Sequence, residues 1–354
     1  MKILSLTTAH PSNDIRISRI HTSYSKVSNA LLFSSLSAFP VHTAFYNRTF
    51  NNRFIYLCFR VYFLALAIFK LLISRPKIVH VHDPDLYIIA AVASRLRFCR
   101  SFIDIHERYD SFFHVFNLRI TNFCAKDRNT YFFSAGEDIS RYLSSCFAIE
   151  AMPLENYPQK HQFGTSYQLS HHLLNEFITS SSTKIVFSAG YSPKRCLSSF
   201  LSAIKLLNPC DDVNIIICGS GSEARKPYMY TIADNINVYM FTLLPQLDVE
   251  YINSFADISI CLFSNEINHQ CIRSNRFYEA LSYDHHIIVP DFGEWADMAL
   301  CSNQLYACSP DSPLSICHAL EKSLLESKVK STDNQFSWIT QEAKLLNLIG
   351  SICQ

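Results

Sequence analysis

Two α/β domains are the fold this sequence predicts, and three observations predict it. Short β-branched or apolar runs of strand length alternate with amphipathic stretches of helix length along the chain. The 354 residues suffice for two such domains, and 49% hydrophobic against 17% charged residues can fill their cores. A polar, Ser/His/Gln-rich segment at 159–183 interrupts the alternation and is the candidate linker.

Composition narrows the chemistry. Only 7 glycines are present, and no glycine-rich phosphate loop is visible. The net charge of +1 implies no preference for a polyanion such as nucleic acid. It is unevenly spread: residues 1–160 hold 19 Lys+Arg against 11 Asp+Glu (+8), and the rest hold 12 against 19 (−7). A basic first half suits an anionic surface. The 13 cysteines form no CxxC pair and read as buried free thiols of a cytosolic protein. MKILSLTTAH begins directly as a strand and lacks the organisation of a signal peptide.

In chain order, 2–7 is the first strand, and HPSNDIRISRIHTSYSKV turns into a helix. A loop at the carboxyl end of a first parallel strand is where an open α/β sheet binds ligands. Residues 55–73 are the most apolar stretch, with one uninterrupted run at 61–69 between Arg60 and Lys70. That is short of a bilayer span, so a buried amphipathic helix is expected, with membrane contact by part of its face as the second option. Strands at 77–81 and 101–105 end in His82-Asp83-Pro84-Asp85 and His106-Glu107-Arg108, with a helix at 86–96 between them. Asp83-Pro84-Asp85 has the spacing of a two-carboxylate metal motif, but the proline marks a helix start, and the reading is a cap. His80 and His82 are placed on opposite sides of their strand, so no metal site is expected. A strand at 131–134 precedes a helix that starts near Glu137 and runs to 145.

The second half repeats the plan. Strands are expected at 184–190, 213–219, 237–241, 258–263 and 287–289, with helices after Arg195, at 311–326 and near the C-terminus. Around CIRSNRFYEALSYDHHIIVPD the other elements are organised. Ser274 or Asn275 caps a helix, Phe277, Ala280 and Leu281 give it an apolar face, and Glu279 lies off that face, free to project into a cleft. A helix N-terminus beside Arg273 and Arg276 suits a diphosphate, and a carboxylate one turn on suits the hydroxyls of a ribose.

These motifs, in this order, resemble family 4 glycosyltransferases, of the kind acting in bacterial surface polysaccharide synthesis. His10, Pro11, Asp14 and Arg16 resemble the family's HPrfDvRi. His80–Pro84 and Asp104–Glu107 resemble HaHDp and DvHE, and 148–158 resembles the exit from the first domain. Arg195 matches the arginine of vGglsxxRGle, with Cys196 where that motif has glycine. Gly219 opens a stretch like l.i.G.Gp.e. Asn275, Arg276, Glu279 and Asp291 match PNKxxEyxxxGxPVi.sd, with Asp284 at its glycine and Cys271 where many members carry a glutamate.

The resemblance implies a GT-B fold: two doubly wound, Rossmann-like domains facing across a cleft, with a C-terminal helix returning to the first. The expected boundaries are 1–163, a linker 164–183, a nucleotide-sugar domain 184–330 and a closing helix 331–354. It implies transfer of a sugar from a nucleotide-diphosphate donor with retention and without a metal or other cofactor. Arg195 is expected on the leaving diphosphate with Arg273 or Arg276, and Gly219, Ser274, Asn275 and Glu279 on the rest of the nucleotide. His106 and Glu107 are expected at the reacting sugar, and His10, Asp14, Arg16, His82 and Asp83 on the acceptor side. The acceptor is expected to be a saccharide, lipid-linked, met at the cytoplasmic face of an anionic membrane. A sugar-nucleotide epimerase of the same fold and a catalytically degenerate binding subunit are the alternatives.

Overall fold

The computed structural model describes residues 1–8, 14–34, 53–96, 98–108, 112–124, 129–159, 167–189, 191–219, 227–242, 244–270, 273–326 and 336–353. The chain forms two compact units, Met1–Asn156 with Trp338–Gln354, and Tyr157–Ser337. The units thus meet at 156/157 and 337/338, and the stretch expected as linker carries a helix, His172–Thr179, inside the second unit.

In the first unit the chain alternates β1 (Lys2–Thr7), α1 (Ile15–Ser25), β2 (Asn29–Ser34), α2 (Arg53–Ser74), β3 (Ile78–Val81), α3 (Tyr87–Arg95), β4 (Arg100–Ile105), α4 (Phe112–Cys124), β5 (Thr130–Ser134), α5 (Glu137–Phe147) and β6 (Ala151–Pro153). The sheet is parallel throughout, in the order β2-β1-β3-β4-β5-β6. Strand order reverses between β1 and β3, which makes their carboxyl ends a switch point. The central strands are buried because helices cover both faces. One core gathers Ile3, Ile20, Tyr24, Ile78, Phe102 and Phe133, and the final helix of the chain adds Trp338, Leu345 and Ile349. Trp338 Nε1 donates to Ser23 Oγ at 3.1 Å, which ties that helix to α1.

The second unit holds α6 (His172–Thr179), β7 (Thr183–Ser188), α7 (Leu197–Ile204), β8 (Val213–Cys218), β9 (Tyr228–Ala233), β10 (Ile236–Phe241), α8 (Gln246–Asn253), β11 (Ile258–Ile260), α9 (Asn275–Ser282), β12 (His286–Pro290), α10 (Glu294–Leu300), β13 (Leu305–Cys308) and α11 (Pro313–Leu325). The final helix, α12, spans Trp338–Cys353. The sheet order is β13-β12-β11-β7-β8-β10-β9, with β9 antiparallel to β10 at the edge and the other pairs parallel. Its switch point lies between β7 and β11.

Several expectations are corrected. His80 and His82 lie on the same side of β3, their ring centroids 4.2 Å apart, because residues two apart in a strand share a face. Asp83 stands before the 3₁₀ turn Pro84–Leu86, but its carboxylate does not cap that turn and bonds to the end of β1 instead. The cysteines divide: Cys99, Cys196, Cys218, Cys261, Cys308 and Cys317 are buried, while Cys58, Cys146, Cys210 and Cys301 are exposed. Helix α2 buries Phe63, Ala67 and Leu71 and leaves the opposite apolar face exposed. Among the described residues no helix is long and apolar enough to cross a membrane.

Candidate functional site

In the second unit the polar groups gather at the carboxyl ends of β7, β8 and β11. After β7, Ser192 Oγ accepts from the Lys194 N–H at 3.3 Å and opens the 3₁₀ turn Pro193–Arg195. Cys196 then takes a left-handed conformation at φ 55°, which starts α7 and directs Arg195 back over the strand ends. The Arg195 guanidinium stacks on the Phe263 ring, 4.2 Å from its centroid. Among the described residues no carboxylate lies within ion-pair distance of it. Burial lowers its pKa, the mark of a cation held away from water without a counterion. Such a cation is a ready receptor for a dianionic ligand.

The second element is α9. Ser274 caps it, its Oγ accepting from the Phe277 N–H at 3.3 Å. Asn275 keeps a buried Oδ1 without a partner. Glu279, expected to lie off the apolar face and project into a cleft, is only 2% exposed. Its Oε2 accepts from Arg276 Nη1 in an ion pair and from Asn253 Nδ2 at 3.3 Å. Its Oε1 is buried and has no partner. A buried carboxylate oxygen left unmet is costly, and a pair of ribose hydroxyls is the kind of donor that satisfies it. Arg276 also donates from Nη2 to Gln246 Oε1 at 3.1 Å, so α8 and α9 hold it in place. Its pKa is raised, because burial, which alone lowers it, is outweighed by Glu279.

Cys261, directly after β11, shows that these groups share one place. Burial pushes its thiol up to about 12, Arg195, Ser274 and Arg276 oppose that shift, and Glu279 adds to it. Arg273 contacts Glu294 at 3.4 Å. Gly219 follows β8 and donates its N–H to the Phe241 carbonyl at 3.3 Å. Tyr191 donates its hydroxyl to the carbonyls of Phe241 and Ile217, which ties it to the ends of β8 and β10.

In the first unit a buried network occupies the switch point. Asp104 is fully buried in β4 and receives Arg16 in a two-pronged pair, Nε at 2.9 Å and Nη2 at 2.7 Å. His82 Nδ1 lies 3.4 Å and His106 Nε2 3.1 Å from Asp104 Oδ2. Burial alone would raise the Asp104 pKa; Arg16 and His106 outweigh it and hold the carboxyl well below its usual range. Beneath, Tyr24 and His80 share a hydrogen bond of 2.7 Å. Burial lowers the pKa of His82, and lowers that of His80 further with the help of His82 itself. Asp83 accepts from Thr7 Oγ1 and the Thr8 N–H, both at 2.7 Å, and so shapes the loop after β1.

Two of the expected acceptor-side residues make bonds within the unit. Asp14 caps α1, accepting from the Ile17 N–H at 3.1 Å. Arg16 is 4% exposed, and besides Asp104 it donates to the Leu154 carbonyl at 2.6 Å and Asn156 Oδ1 at 2.8 Å. Its guanidinium is thus committed to the Asp104 carboxylate and the chain at 154–156. His106 itself is partly exposed and Glu107 is exposed. His10 and Cys271 lie outside the described residues.

His80, His82 and Asp104 have ligating atoms within 4.8 Å of one another. Both Asp104 oxygens are already engaged by the Arg16 cation, and a metal ion there would sit against that charge.

Sequence reasoning gave Asp104 no role beyond its place in the DvHE-like stretch, and missed Asn253, Gln246 and Phe263. Asp104 was detectable in principle, since an acid within the buried run SFIDI demands a cationic partner. The other three carry no signal of their own.

No protein-family model matches the chain, and no curated protein sequence matches it. Solved structures do share the fold. A glycosyltransferase from Rickettsia africae superposes with a TM-score of 0.64 at 11% identity, over 100% of this chain and 98% of that one. A putative UDP-N-acetylglucosamine 2-epimerase from Listeria monocytogenes gives 0.64 at 12%, over 99% and 96%. Anabaena HepE, solved with UDP and glucose, gives 0.63 at 12%, over 99% and 100%. The chain therefore has the GT-B fold, built of two parallel-sheet α/β domains.

Proposed function

We propose that the protein is a GT-B sugar-nucleotide enzyme, and specifically a glycosyltransferase that moves a sugar from a nucleotide-diphosphate donor to a saccharide acceptor. The observation that carries this reading is the pairing, at one switch point, of an uncompensated guanidinium with a buried carboxylate that lacks a donor. Arg195 would take the diphosphate and Glu279 Oε1 the ribose hydroxyls. Ser274, Asn275 and Gly219 would complete the donor site. As the bond from sugar to diphosphate breaks, negative charge grows on the leaving group, and Arg195 stabilises it there without a metal ion. His106, oriented by Asp104, and Glu107 would serve the reacting sugar and its acceptor. Retention of configuration, as in the family the motifs resemble, requires no protein nucleophile on this scheme.

The epimerase reading has one specific support: a 2-epimerase superposes as well as a transferase does. One experiment separates the readings. Melting temperature is followed against UDP, GDP, ADP and their sugars, since a ligand bound to the folded state alone raises stability. The stabilising sugar nucleotide is then incubated without acceptor. An epimeric sugar nucleotide as product favours the epimerase. Transfer seen only with a saccharide acceptor, and surviving excess chelator, favours the transferase. Stabilisation by no nucleotide at all overturns both.

A further inference from the structure

Three neighbouring helices of the first unit combine exposed apolar side chains with cations and no acids. Helices α2, α3 and α4 connect β2 to β3, β3 to β4 and β4 to β5, all stepping in one direction across the sheet. Right-handed crossovers therefore place all three on one face. They pack side by side, α2 on α3 and α3 on α4. On α2, Val61, Phe69, Leu72 and Ile73 recur at helical spacing and are 59%, 61%, 50% and 65% exposed. Their stripe lies opposite Phe63, Ala67 and Leu71, the residues that bind the helix to the sheet. On α3, Ile88 and Val92 are exposed one turn apart. On α4, Phe112 and Phe123 are 84% and 69% exposed and flank a half-exposed Phe116. Apolar side chains exposed together on neighbouring helices mark a docking face.

The charge on the same helices selects the partner. Their sequences contain Arg53, Arg60, Lys70, Arg95 and Arg119 and no aspartate or glutamate. Lys70, Arg95 and Arg119 are exposed. Arg60 is held by Asp85 at 2.8 Å, outside the helices. A second protein copy docking through this face would set the exposed Lys70 and Arg119 against the same cations of its partner. An anionic bilayer meets both features at once: headgroups take the cations and the acyl boundary takes the aromatic and branched side chains.

We propose that α2, α3 and α4 form a docking face by which the first unit lies on the surface of an anionic membrane without crossing it. The proposal does not depend on which sugar-nucleotide reaction the protein carries out.

The test is vesicle flotation of the full chain, with phosphatidylcholine alone and with phosphatidylcholine mixed with phosphatidylglycerol. Binding is expected to the anionic vesicles at low salt, with release at high salt. Lys70→Glu with Arg119→Glu is expected to lower that partition by about tenfold or more. Phe69→Ser with Phe123→Ser is expected to weaken it at all salt concentrations. Neither pair touches the nucleotide groups, so stabilisation by a nucleoside diphosphate should be unchanged and reports correct folding. Absence of binding to anionic vesicles overturns the proposal, as does equal binding by all variants. A dimer in solution that the serine pair splits, with no vesicle binding, assigns the face to a second copy and overturns it as well.

Discussion

At the scale of single residues, the nucleotide groups divide into one kept unpaired and one kept half-paired. Arg195 has an aromatic ring for company and, among the described residues, no acid, so removing it relieves a desolvated charge. Arg195→Ala is expected to change the melting temperature by no more than the value of the stacking, about 0.5–1 kcal/mol. It should weaken nucleoside diphosphates at least tenfold and free nucleosides hardly at all, because only the phosphates meet the guanidinium. Glu279→Gln behaves differently. It takes the counterion from Arg276 as well as charge-assisted bonds from a ribose, each worth roughly 1.5–3 kcal/mol. Nucleoside and nucleoside diphosphate should then weaken alike, by about ten- to a hundredfold, and the melting temperature should fall. Calorimetric titration with uridine and UDP measures both patterns, and unchanged affinities in both variants would remove Arg195 and Glu279 from the donor site. His106 can be probed through its support: Arg16→Met should depress turnover while sparing nucleotide affinity, since Arg16 reaches only Asp104 and the 154–156 strand exit.

At the scale of elements, two short turns show how much backbone conformation a motif encodes. The family pattern carries glycine where this chain has Cys196 and Asp284, and both residues adopt left-handed conformations, φ 55° and φ 59°. Both positions where that pattern has glycine thus hold a backbone conformation that glycine favours, although the residue types differ. Asp284 is half-buried and ends the turn between α9 and β12. A side chain there costs about 1 kcal/mol, less the entropy that glycine loses on folding. Asp284→Gly is thus expected to raise the melting temperature by one to a few degrees (about 2–4 °C per kcal/mol for a unit of this size), and Asp284→Val to lower it by more. A fall with glycine would show that the Asp284 side chain makes a bond that outweighs its backbone strain. Other elements were illegible for physical reasons. The edge strand β2, NALLFS, has no β-branched residue, and the edge strand β9 alternates weakly and is largely exposed, so neither has the buried run that marks a central strand. Asp104 could be suspected from its setting, but its partner Arg16 lies 88 residues away, and only the fold brings them together.

At the scale of the whole molecule, the charge asymmetry of the sequence and the buried histidines give the first unit its own response to acid. His80 and His82 are packed together beneath Asp104, with Tyr24, Arg16 and His106 around them. Burial lowers both pKa values below the ordinary 6.5. The unfolded chain therefore takes up these protons first as pH falls, and each histidine contributes stability that is complete above about pH 7 and is lost below about 6.5. The slope approaches about 1.4 kcal/mol per pH unit for each histidine. Asp104 has the opposite chemistry but the same direction. Its pKa is depressed, so its contribution stays intact until pH falls below about 4 and does not enter this window. Lowering pH from 7.5 to 5.5 is therefore expected to destabilise the first unit. In a scanning calorimeter one of two transitions should shift to lower temperature, the other, raised by nucleoside diphosphate, moving less. His80→Gln keeps a polar partner for the Tyr24 hydroxyl and removes one titration, so it should shrink the shift. If the shift survives intact in both His80→Gln and His82→Gln, the acid response arises elsewhere, and the buried histidine pair serves packing alone.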